Sequence, residues 1–160
     1  MTIRNDSAAR PTLIVLRGML ALLFAVVMTT AHAACSITQP DGWAKSTTVW
    51  DGECKGGQAH GLGVLKEFDA QKKTVVRFFF GQASHGAIAL GVIDQADGYV
   101  AGSFKDGKVI ESTERQATIS AFKEATSAAK LVAARYRKSG NLASARFYDA
   151  KTKQLSEQMD

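Results

Sequence analysis

The chain has 160 residues, 46% of them apolar and 22% charged, with a formal charge of +5. That length fits one ordinary domain or a small one with an appendage, and the balance excludes a disordered or fibrous chain. Most of the high isoelectric point sits at the start. Without residues 1–33, which hold three arginines and one aspartate, 17 basic face 14 acidic residues and the surplus is +3. So mild a surplus is weak support for nucleic acid or anionic lipid as a partner, and no nucleic acid is expected.

Residues 1–33 read as a secretory signal peptide. Arg4, Arg10 and Arg17 form a positive start, Gly18 to Met28 an apolar run, and Ala31-His32-Ala33 a small-x-small cleavage site. The apolar run is too short to cross ~30 Å of hydrocarbon with ease, which disfavours a retained anchor. The expected destination is the periplasm. His32 stands three residues before Cys35, where a lipoprotein signal carries leucine, so a lipid anchor is the weaker reading. Cys35 and Cys54 are the only cysteines. In an oxidising compartment they are expected to pair. The alternative, a zinc site of Cys35, Cys54, His60 and His85, lacks the close ligand spacing of structural sites.

From residue 34 to 111 the chain reads as short strands between turns. TQPDGWAKS (38–46) is a turn-rich entry. Strands follow at 47–54, 61–68, 74–80, 87–94 and 99–104, with KVI at 108–110, separated by KGGQAH, DAQKK, GQASHG, QADG and KDG. Branched and aromatic content with turn signals every eight to twelve residues is a β-meander pattern. Alternation places Val76, Phe78 and Phe80 on one side of the third strand, and Ile88, Leu90 and Val92 on one side of the fourth. One face is therefore bulky and apolar and needs a cover. Residues 112–160 are expected to supply it as a helical hairpin. A helix over 111–138 carries Ile119, Phe122, Ala129, Val132 and Tyr136 at three- and four-residue steps, with Ser112 or Thr113 as cap. Ser139-Gly140-Asn141 stops it, and a second helix over 142–159 presents Leu142, Ala145, Phe147, Tyr148 and Leu155. The expected fold class is α+β, an antiparallel meander of hairpins followed by two helices. An arm reaching out to a partner is the other use for the helices.

Trp50, Gly52, Cys54 and Gly57 recur fifty residues on as Val100, Gly102, Phe104 and Gly107. Val76, Phe78 and Gly81 lie midway, and His60-Gly61 precedes His85-Gly86 by 25, which suggests a repeat of about that length. The first unit resembles a MORN repeat, whose pattern is aromatic-x-Gly-x-aromatic-x-x-Gly-x-x-x-Gly-x-Gly. Trp50, Gly52, Gly57, Gly61 and Gly63 fill five places and Cys54 takes the second aromatic place. The third unit keeps Gly102, Phe104 and Gly107. The resemblance implies β-hairpins stacked into one sheet, a terminal helical cap, and a role in protein–protein contacts or at membrane lipid.

A phosphate-binding loop is excluded, because no Gly-x-x-x-x-Gly-Lys run occurs and the glycines lie between strands, so no nucleotide or other cofactor is expected. No catalytic or metal constellation stands out. Asp51 and Glu53 fit an exposed charged face as well as acid–base work, and His60 and His85 read as equivalent repeat positions. The reading is a non-catalytic periplasmic binding or scaffolding module that meets an envelope protein. One alternative is anionic lipid or surface polymer, taken by Arg135, Arg137 and Lys138 with the aromatics Trp43, Phe79 and Tyr99. The other is a cell-wall hydrolase or its inhibitor, with segment 35–54 as the protruding loop.

Overall fold

The computed structural model describes residues 35–71 and 73–160; the expected signal segment lies outside them. Six antiparallel strands follow in order: β1 (Thr48–Lys55), β2 (Gln58–Phe68), β3 (Val75–Ser84), β4 (Ala87–Gln95), β5 (Gly98–Lys105) and β6 (Lys108–Ile110). Two helices close the chain, α1 (Arg115–Lys138) and α2 (Leu142–Ser156). The meander and the helical pair are as expected from sequence.

β2 to β5 run longer than the sequence suggests, and every turn but that between β2 and β3 is shorter. Four hairpins close on two residues each, and three of them, Gly56-Gly57, His85-Gly86 and Asp106-Gly107, do so with positive φ at both positions. Such turns match the twist of the flanking strands, which is why the second position is glycine each time. The turn glycines fall 29 and then 21 residues apart, so the repeat is not uniform at 25. The middle unit is Phe79-x-Gly81 leading to Gly86, not Val76, Phe78 and Gly81. His60 lies within β2 and is not the equivalent of His85.

The remaining glycines do something else. Gly52, Gly63, Gly81, Gly91 and Gly102 pair in succession and form a row across five strands. Aromatic rings lie over this row. A Cβ on Gly63 would come within 2.5 Å of the Trp50 ring, and one on Gly81 or Gly91 within 2.9 Å of the Phe79 ring. The aromatic-x-Gly spacing is the local cause, since residues two apart share a face and the ring can lie over the following glycine.

Both faces of the sheet are covered. On one, Val64, Phe80 and Val92 pack against Phe122, Ala125, Ala129 and Val132 of α1 and Tyr148 and Leu155 of α2. On the other, Trp50, Leu65, Phe79, Ile93 and Phe104 form a second core with Trp43. Two bulges revise the expected facing. Ala89 is an extra residue in β4, which turns Ile88 to the second core while Leu90 and Val92 face the helices. Val76 is an extra residue in β3 and stands exposed.

The helix boundaries shift slightly. α1 begins at Arg115 with Glu114 as N-cap; Ser112 Oγ accepts from the Glu114 amide instead of capping the helix. Gly140 takes positive φ after α1, and Asn141 Oδ1 accepts from the Ser144 amide to start α2.

Candidate functional site

The segment expected to protrude is a strap across the second face. Its backbone amides meet the three positive-φ hairpin turns in order: Ser36 N donates to Gly57 O, Thr38 N to Gly86 O and Asp41 N to Gly107 O. Each acceptor is the second turn residue of its hairpin, so the strap contacts the three units in the same way. One end is fixed by the disulfide Cys35–Cys54, with Cα atoms 5.7 Å apart. The other is fixed by Glu67, which is 5% exposed. Glu67 accepts from Arg77 and from the Ala44 amide, and the Arg77 guanidinium lies 5.1 Å from the centre of the Trp43 ring. A buried carboxylate so fully bonded is a lock, because losing one partner would leave a costly orphan charge.

The strap leaves a hollow of about 650 Å³ beside β1, lined among others by Gln39, Lys45, Thr48, Trp50, Gln58 and His85. A second hollow of about 400 Å³ lies on the opposite face of the same strand, lined by Asp51, Lys66, Arg135, Tyr136 and Ser139. Val49 and Trp50 line both. β1 is the long edge of the sheet, and Val49 stands 49% exposed on the ridge between the hollows.

The chemistry of this edge is cationic. Asp51 is the one carboxylate in either lining; Lys66 and Arg135 stand with it in the second hollow, and Lys45 lines the first. Its Oδ2 accepts from Lys66 Nζ at 3.0 Å and from the Tyr136 hydroxyl at 2.7 Å, and its Oδ1 from Arg135 at 2.5 Å. Arg135 also donates to the Asp51 carbonyl oxygen, and Trp50 Nε1 to that of Glu53. These side chains occupy two backbone acceptors along the edge strand, which limits strand-to-strand aggregation there. Burial lowers the Lys66 pKa, but Tyr148, Asp51 and Tyr136 outweigh it, and the net displacement is upward. Burial is the main cause that pushes the Tyr148 hydroxyl up to about 12, so it is a donor at neutral pH.

The residues singled out from sequence fare differently. Cys35 and Cys54 are bonded to each other, so the zinc alternative has no thiolates. His60 and His85 do meet, with ring centres 6.2 Å apart, but among the described residues no three potential metal ligands gather. Trp50, Gly52, Gly63 and Gly102 belong to the glycine floor; Gly57 and Gly107 are turn residues; Gly61 lies in a bulge of β2; Phe104 packs edge-on against Phe79. The expected exposed aromatics are not exposed. Phe79 is fully buried, Trp43 is 8% exposed beneath Arg77, and Tyr99 is half-buried against Phe122. Arg135 and Arg137 pair with Asp51 and Asp149, which leaves Lys138 as the member of that cluster without an ion pair among the described residues. Sequence reasoning missed Lys66, Glu67 and Arg77, whose partners lie from 10 to 70 positions away.

No protein-family model matches the chain, no curated protein is significantly similar to it, and no solved structure matches it.

Proposed function

We propose that this protein is exported to the periplasm and acts as a non-catalytic binding module of MORN-like hairpins, holding an acidic, partly apolar segment of an envelope protein along β1. The paired hollows that flank the β1 edge, with Lys45 in one and with Lys66 and Arg135 around the satisfied Asp51 carboxylate in the other, carry the reading. An exposed apolar ridge between cationic hollows suits a chain that alternates apolar and acidic side chains. The disulfide supports export, since such bonds persist in oxidising compartments. It also leaves the Cys35 sulfur unavailable for the thioether of a lipid anchor. The three equivalent strap contacts support the repeat reading. The lipid alternative is weakened because Arg137 already pairs with Asp149 and its aromatics Trp43 and Phe79 are buried, and the inhibitor-loop alternative because the strap is fastened at both ends.

A photo-crosslinking residue at Val49, with one at Ile110 on the far sheet edge as control, tests this in intact cells. One protein adduct is expected at 49 and none at 110, and Lys45→Glu should weaken capture. The same adducts at both positions, or lipid and glycan alone at 49, would overturn it.

A further inference from the structure

α2 leaves part of its apolar face bare. Ala145, Tyr148 and Leu155 are buried, yet Phe147 is 42% exposed. Phe147 is not isolated. Its ring centre lies 5.5 Å from that of Phe78, and the two rings form one wall of a groove of about 380 Å³ between the start of α2 and the ends of β2 and β3. Phe68 and Val75 continue the apolar lining, and Lys66, Tyr136 and Tyr148 supply the polar part. The volume falls within the ~300–1,000 Å³ usual for small-molecule sites, which likewise combine apolar walls with a few polar groups.

The polar end has a sign. A lysine ammonium carries three donors. Lys66 directs two of them toward Asp51 Oδ2 at 3.0 Å and the Tyr136 hydroxyl at 3.3 Å, with the Tyr148 hydroxyl beside it as well. Asp51 is shared with Arg135, so two cations stand on one carboxylate and the cluster keeps a positive surplus. The lysine side chain is 13% exposed, and a charge so placed gains from a second anion more than a solvated one would. The wider field agrees. Residues 114–160 hold nine basic and five acidic side chains, while residues 34–113 hold eight and nine. The positive surplus of the chain after residue 33 therefore sits with the helices that form one side of the groove.

We propose that this groove binds a small amphipathic anion, a carboxylate with a medium-length acyl or aryl body, with the body laid along the wall that Phe78 and Phe147 form and the carboxylate at Lys66. The groove shares Lys66 and Tyr136 with the second hollow beside β1, but Val49 and Lys45, at which the β1 reading is tested, do not line it, so the two readings can fail separately. A neutral ligand of the same body would bury the same apolar area but leave the lysine surplus unanswered. A cationic one would meet repulsion.

Titration calorimetry on the purified protein with its disulfide intact provides the test, using octanoate, octanol and octylammonium at low salt. Octanoate should bind saturably and at least about tenfold more tightly than the other two, a difference near 1.4 kcal/mol. Phe147→Ser, at a position already exposed to solvent, should weaken octanoate about tenfold, and octanoate should shift the amide NMR signals of Phe68, Val75 and Phe147. Lys66→Met should abolish the preference for octanoate over octanol; if that variant does not fold, Phe147→Ser and the NMR shifts still decide. Absence of saturable octanoate binding, equal affinity for octanoate and octanol, or unchanged binding by Phe147→Ser would each overturn the proposal.

Discussion

The two faces of the sheet are covered by different means. The helix face is covered by a helix whose inner surface is largely alanine: Ala121, Ala125, Ala128, Ala129 and Ala133 are all buried. Small side chains let α1 approach the sheet closely, while Phe80, Val92 and Val64 fill the space from below. The strap face has no helix. Its volume comes from Trp50 and Phe79 lying over glycines of their own sheet, closed by a strap held through four backbone hydrogen bonds, one disulfide, and the bonds of the Ala44 amide and Gly42 carbonyl to the Glu67–Arg77 pair. Packing between regular elements secures one face, and cross-links hold the other. The strap face should therefore tolerate little change in its floor and should loosen locally when a cross-link is cut.

The largest expected effect is at the floor. A Cβ on Gly91 would overlap the Phe80 carbonyl oxygen and stand 2.8 Å from Gly81 Cα, both backbone atoms that cannot move aside. Gly91→Val should cost upward of about 4 kcal/mol, at the far end of single-substitution effects. Denaturant unfolding checks this, and a loss under about 1 kcal/mol would mean that the glycine row is not a close-packed floor. Next comes the disulfide. Cys54→Ser opens a loop with a sequence separation of 19, worth roughly 3 kcal/mol. Hydrogen exchange should quicken first at the amides of Ser36, Thr38 and Asp41. Equal quickening along α1 would show that the two faces are one cooperative unit.

The smallest effect belongs to the helix face and is a pH effect. The Tyr148 pKa is raised from 10.0 to about 12 in the folded protein, so the folded state holds its proton more tightly than the unfolded chain does. The contribution is fully present below pH 10 and is lost as pH rises toward 12, on the order of 2 kcal/mol. Lys66 is raised as well, so it acts in the same direction. Stability measured from pH 9 to 12 should fall, and Tyr148→Phe should flatten the decline. A variant with the same slope as the parent would place the alkaline loss elsewhere.

Much of this fold was legible because its signals are local. Turn glycines, the change of residue usage after 111, and Gly140-Asn141 between the helices all act within a few residues. The second core was harder to read. Phe78, Phe79 and Phe80 in succession break the alternation expected of a half-covered strand, and that run was the available sign that both faces are buried. The bulges at Val76 and Ala89 erased the rest, since one extra residue exchanges the faces beyond it. The candidate site was hardest to read. Asp51 and Arg135 are 84 positions apart and Lys66 and Tyr136 are 70 apart, and no spacing rule spans such gaps.

The sequence by itself determined the elements, their order and the pairing of the two cysteines. Each follows from short-range sterics, from periodicity, or from there being two thiols and no third. The tertiary structure decided which face each side chain took, that segment 35–54 became a strap, and that Lys66 and Arg135 converged on Asp51. Those outcomes depend on register, bulges and the docking of α1, which join residues far apart in the chain through packing and charge pairing that exist only once the sheet has formed.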